Sequence, residues 1–195
     1  MRVILILFII LFLAIPVNAL DRCESLKRMV RLEHTKYFGL QYPYWYGIGQ
    51  LKQESACRTT VTAFDAGQGV AQFMPKTEQY IESLMGEKLD PYNPQHAIRM
   101  QAFYMHRIHT KESWTDRLWV SYQIYNSGRT VLYNEFVRAG RILDWTKMKG
   151  ACKRKVLVTP SGYVLDLCVS GYDYSKKIEK YGNQYRSGLD GMRYW

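Results

Sequence analysis

Acidic side chains are scarce in this chain: 17 aspartates and glutamates stand against 27 lysines and arginines among 195 residues. The formal net charge of +10 favours polyanionic partners, whether nucleic acid, anionic lipid or acidic cell-wall polymers. No tract of interleaved basic and aromatic residues supports the first of these, so no nucleic-acid partner is expected. Neither CxxC nor HExxH occurs, and His34, His96, His106 and His109 lack carboxylate or cysteine companions at ligand spacing. No metal and no cofactor is therefore expected. Internal repeats, low-complexity tracts and Pro/Ser-rich linkers are also missing. At this length, that leaves one domain with its own core.

A bilayer-spanning run is missing too. The one continuous apolar stretch, Val3 to Ala14, falls short of the roughly 20 residues that a spanning helix needs. It follows Met1-Arg2 and precedes Pro16 and Val17-Asn18-Ala19, the order of a secretory signal peptide cut after Ala19. Residues 1–19 read as that signal and residues 20–195 as the mature domain, which places the protein in the periplasm or outside the cell. Cleavage removes only Arg2 among charged residues, leaving +9.

Four cysteines in an exported chain imply disulfides, and three pairings are open to them. Cys152 and Cys168 flank Val156-Leu157-Val158 and Tyr163-Val164-Leu165-Asp166-Leu167, two strand-like runs around the turn Thr159-Pro160-Ser161-Gly162. They would sit opposite each other at the base of a hairpin, which leaves Cys23 for Cys57. The adjacent run Lys153-Arg154-Lys155 reads as a solvated strand end.

Elsewhere the periodicity is helical. It predicts helices over Leu26 to Tyr37, Tyr44 to Ser55, Lys76 to Met85, Pro94 to His109, Ser113 to Tyr125, Val131 to Val137 and Tyr174 to Tyr185. Ser113 is the expected cap of the fifth. The fold class is mainly α, with one small β-hairpin near the C-terminus, and the chain is expected to act as a monomer.

The chemistry concentrates in Glu54-Ser55. The pair falls on the last turn of the second helix, among apolar and aromatic neighbours and ahead of a glycine-punctuated loop. A carboxyl in such surroundings loses hydration, its pKa rises, and it can hold a proton near neutral pH as a general acid. Gly69-Val70-Ala71-Gln72 follows with Phe73-Met74-Pro75 and Thr77, and later Tyr125-Asn126-Ser127-Gly128.

These three segments, in this order, resemble the lytic transglycosylases of the lysozyme-like superfamily. That family pairs Glu-Ser with a Gly-Leu-Met-Gln type segment and an Ala-Tyr-Asn-x-Gly type segment. The resemblance runs from about Tyr44 to Arg129 and returns at Tyr174. It implies a lysozyme-like helical domain acting on peptidoglycan, cutting the β-1,4 bond between N-acetylmuramic acid and N-acetylglucosamine to leave a 1,6-anhydro end. Glu54 would be the catalytic acid and then the base. Ser55, Gln72, Phe73, Met74, Tyr125, Asn126 and Tyr174 would contact substrate or wall the cleft. Small members of the family imply one further expectation, local opening of the wall for a secretion, conjugation or pilus apparatus.

Two departures stand out. The family's Ser-x-x-Gly-Ala-x-Gly is replaced by Ala63-Phe64-Asp65-Ala66-Gly67-Gln68-Gly69, and the bulky Leu-Met by Val70-Ala71. Asp65 is either a turn former or a second carboxylate able to position water, which would make the enzyme a muramidase. A glycan-binding assembly protein without turnover is the reading from another class.

Overall fold

The structure is a computed structural model that describes residues 21–186 apart from 112, 113, 115, 159–161 and 163. The signal-peptide reading, the Ser113 cap and most of the hairpin turn lie outside the described residues. Among the described residues eight α-helices and one hairpin follow in order: α1 (Arg22–Phe38), α2 (Trp45–Ser55), α3 (Pro75–Met85), α4 (Pro94–Lys111), α5 (Leu118–Ser127), α6 (Arg129–Arg138), α7 (Trp145–Gly150), β1 (Val156–Val158), β2 (Val164–Asp166) and α8 (Leu167–Gly182). The class is mainly α, as expected. Among the described residues no helix is long and apolar enough to cross a membrane.

The centre of the fold is α2. Trp45, Tyr46, Gly47, Ile48, Gly49, Gln50 and Leu51 are all buried, so this helix is covered all round, as a core helix must be. It packs between α1 and α8, and glycines set how closely. A methyl group on Gly49 would lie 2.3 Å from the Ile178 carbonyl oxygen and 2.6 Å from the Gly182 nitrogen. Only a bare Cα lets the two backbones meet there, and this contact brings Tyr174 of α8 beside the end of α2. A second cluster, built on Val120, Leu132, Met148 and Tyr172, joins α5, α6, α7 and α8.

The helices begin and end where local chemistry dictates. α3 ends before Gly86 as predicted, with that glycine in left-handed φ, and it opens on Pro75, one residue before the predicted Lys76. Most helix ends differ from expectation by one to four residues, α1 starting at Arg22 rather than Leu26 and α8 ending at Gly182 with a 3-10 turn over Asn183–Tyr185, and two starts differ by more. The fifth helix starts at Leu118 rather than Ser113. The last helix starts at Leu167 rather than Tyr174, because the Asp166 carboxylate accepts from the Cys168 and Val169 amides and caps it directly off β2. α7 was not anticipated; it is six residues long, capped by Asp144, and too short to show a period.

The hairpin is antiparallel, with Val156 opposite Asp166, Leu157 opposite Leu165 and Val158 opposite Val164. The disulfides are Cys23–Cys57 and Cys152–Cys168, the pairing expected. The reading of Lys153-Arg154-Lys155 as a solvated strand end holds for the two lysines but is corrected for Arg154. Its guanidinium turns inward, Nε to Glu135 Oε1 and Nη2 to Glu135 Oε2 at 2.8 Å each, with Nη1 on Ser127 Oγ at 2.7 Å. Gly171 leaves the space it fills, since a Cβ there would lie 2.0 Å from Nη1. The hairpin is thus fastened to α6, α5 and α8 from beneath.

Candidate active site

Glu54 owes its place to an abrupt end of α2. Ala56 and Cys57 both adopt left-handed φ, 53° and 59°, a conformation unfavourable to residues with a Cβ. The Cys23–Cys57 disulfide and Ser55 support it. The Ser55 hydroxyl donates to the Val70 carbonyl at 2.9 Å and accepts from the Arg58 amide at 3.1 Å. Ser55 is buried, and its hydroxyl ties the helix end to the glycine loop.

That loop is shaped by two further left-handed residues. Gly69 has φ +66°, and a Cβ on it would overlap the Pro91 carbonyl. Gln72 has φ 52°, and its amide donates back to the Gly69 carbonyl at 2.6 Å. The amide expected to reach substrate is therefore engaged in holding the loop. Phe73 is buried in the core against Tyr125, with ring centroids 5.7 Å apart, whereas Met74 is exposed. The hydroxyl of Tyr125 donates to the Ala71 carbonyl at 2.8 Å. The three sequence segments are thus interlocked: Ser55 holds Val70, Tyr125 holds Ala71, and Glu54 stands between them and α8.

The Glu54 carboxyl accepts a hydrogen bond on Oε1 from the Tyr174 hydroxyl. The residue keeps partial solvent access, yet the carboxyl itself is closely surrounded by protein. Burial raises its pKa from 4.5 to about 7, the Tyr174 hydrogen bond opposes the rise, and the charge of Asp65 adds to it. Burial also pushes the Tyr125 and Tyr174 hydroxyls well above the ordinary tyrosine range, so both stay neutral donors.

Tyr174, Asp65 and Asn126 line a groove of about 860 Å³. Its other walls carry the fully exposed ring of Phe64, Leu157 of the hairpin, and Lys153, Lys155 and Lys177. Flat apolar surface beside amides and cations suits a sugar chain bearing anionic groups. Asp65 is a turn former, its carboxylate accepting from the Gly67 amide at 3.3 Å, and it also lines the groove. Among the described residues no cluster of His, Cys, Asp and Glu could hold a metal ion.

Sequence reasoning missed three buried polar residues behind Glu54, namely His34, Gln50 and Gln101, and the Glu135–Arg154 pair under the hairpin. Gln50 stands one helical turn before Glu54, and that spacing was the one signal available.

No protein-family model matches the chain, and no curated protein matches it. Solved structures do. The 70-kDa soluble lytic transglycosylase Slt70 of Escherichia coli superposes with a TM-score of 0.60 at 19% identity, over 79% of this chain and 23% of that one. An inactive mutant of the lytic transglycosylase Slt from Pseudomonas aeruginosa gives 0.62 at 18% identity, over 81% and 23%. A complex of the 70-kDa soluble lytic transglycosylase with bulgecin A gives 0.59 at 20%, over 79% and 23%. The chain spans about a quarter of the length of these proteins and shares the fold of that part.

Proposed function

We propose that this protein is a peptidoglycan lytic transglycosylase in which Glu54 serves as both general acid and general base. The observation that carries the reading is a carboxyl raised by burial to a pKa of about 7 and hydrogen-bonded to Tyr174, which lines a groove able to take a glycan strand. Neutral Glu54 gives its proton to the glycosidic oxygen of the leaving N-acetylglucosamine, and the muramic C1 becomes oxocarbenium-like. The resulting carboxylate takes the proton of the muramic 6-hydroxyl as that oxygen bonds to C1. One C–O bond breaks, one forms, the acid is regenerated and no water is consumed. Kinship of fold with soluble lytic transglycosylases supports this reading.

The acid must be protonated before reaction, so activity falls as pH rises through its pKa. Release of dye from labelled sacculi is expected to hold up to about pH 6 and to decline above about 7. A profile flat across that range would contradict the assignment.

Asp65 favours a second reading. It lines the same groove and its charge bears on Glu54. If it positions water, the product is a reducing end and the enzyme a muramidase.

The reading extends to an exported protein that opens the wall locally for an envelope-spanning apparatus. A deletion strain is expected to assemble one such machine poorly; normal assembly of all of them would count against this part.

A further inference from the structure

The buried amides behind Glu54 form a chain whose direction can be deduced. Its anchor is the Gly47 carbonyl oxygen, which can only accept. Gln101 Nε2 donates to it at 3.1 Å and to Gln50 Oε1 at 2.8 Å. Both amide hydrogens of Gln101 are then committed, and its Oε1 faces His34 Nε2 at 3.4 Å. His34 must be the donor there, neutral and protonated on Nε2. Full burial pushes its pKa down to about 4, and its Nδ1 has no partner among the described residues.

Gln50 accepts on Oε1 and so turns Nε2 to the Tyr174 hydroxyl oxygen at 3.3 Å. Tyr174 accepts there, which leaves its single hydrogen for Glu54 Oε1. Each link from His34 through Gln101 and Gln50 to Tyr174 donates toward Glu54, the second Gln101 hydrogen staying on Gly47. His34, Gln50 and Gln101 are fully buried, and none lines the groove.

We propose that Gln50 and Gln101 are positioning residues: they hold Tyr174 as a donor to Glu54 Oε1, so that the transferable proton is carried on Oε2. The role in turnover rests on the reading of Glu54 as the acid; the hydrogen-bond direction does not. Loss of the Gln50 amide weakens Tyr174 as a donor, because linked hydrogen bonds polarise one another. The carboxylate then loses stabilisation and the pKa of Glu54 rises. The titratable groups facing Glu54 are Tyr174 from α8, Tyr125 from α5 and Asp65 from the loop after α2, and a neutral change at position 50 alters the charge of none of them.

The test is a thermodynamic cycle of Gln50→Met and Tyr174→Phe, read by NMR titration of the Glu54 carboxyl carbon and by the pH profile of sacculus cleavage. Tyr174→Phe is expected to raise the midpoint by roughly one pH unit and Gln50→Met by about half a unit. With Phe at position 174, Gln50→Met should add nothing. Should Gln50→Met fold poorly, Gln101→Met breaks the chain one link further away and is expected to shift the midpoint in the same direction by less. An unmoved midpoint, or the same shift in both backgrounds, overturns the proposal even if the enzyme cleaves walls normally. The predicted shifts in a protein that cleaves nothing would uphold the hydrogen-bond chain and sink the functional reading instead.

Discussion

Replacing Glu54 with glutamine is expected to reduce wall cleavage by on the order of 10³-fold, because the amide cannot give the leaving oxygen the proton assigned to this acid. The same change is expected to stabilise the fold at high pH. The carboxyl has a pKa of about 7 when folded against an ordinary value of 4.5. Between those values the folded protein holds a proton that the unfolded chain has released, so this residue's contribution to stability falls as pH rises through that window. Above it, the enclosed carboxylate costs on the order of 2 kcal/mol, a figure kept below the full shift because the residue is partly exposed. Glutamine carries no such charge. The variant should therefore melt roughly 5 °C higher at pH 8 and close to wild type at pH 4. Unchanged cleavage by the purified variant would remove Glu54 from the mechanism.

The second large effect lies away from the acid. Glu135 is fully buried, Arg154 is nearly so, and the pair is held by two hydrogen bonds of 2.8 Å each. The Tyr172 hydroxyl donates to the same carboxylate at 2.8 Å. Glu135→Ala strands a guanidinium under the hairpin, at an expected cost of about 3–5 kcal/mol and a fall in Tm of roughly 10 °C. The hairpin also supplies Leu157 and lies beside Lys153 and Lys155 in the groove wall, so KM should rise more than kcat falls. Removing both charges, as Glu135→Leu with Arg154→Met, leaves no stranded charge and should recover most of the stability. Thermal melts of the three proteins decide it. A loss below about 1 kcal/mol in the single variant would mean that the pair does not fasten the hairpin.

The parts legible in the sequence were those that local pattern determines. Pro75 and Gly86 bracketed α3, the helical period from Pro94 to His109 marked α4, and the hairpin placed Cys152 opposite Cys168. Glu54 was legible because it ends an apolar helix before a glycine loop. What escaped depends on partners distant in the chain. Ser55 was expected among the substrate contacts, yet its hydroxyl is occupied by Val70, fifteen residues on. Gln50 meets Gln101 across 51 residues, and buried amides leave no periodic trace. Arg154 looked like one of three solvated cations until the fold set a buried carboxylate beneath it. The start of α8 was hidden for another reason: Asp166 ends a strand and caps a helix at once, and the strand signal masked the cap.

The most direct measurement is mass spectrometry of the fragments released when purified sacculi are digested in heavy-oxygen water. An enzyme that transfers the glycosidic bond to the muramic 6-hydroxyl yields anhydro ends, lighter by one water than reducing ends and free of the heavy label, and the glutamine variant yields none. Labelled reducing ends would contradict this chemistry and hand the reaction to Asp65 and water; undigested sacculi would contradict catalysis altogether.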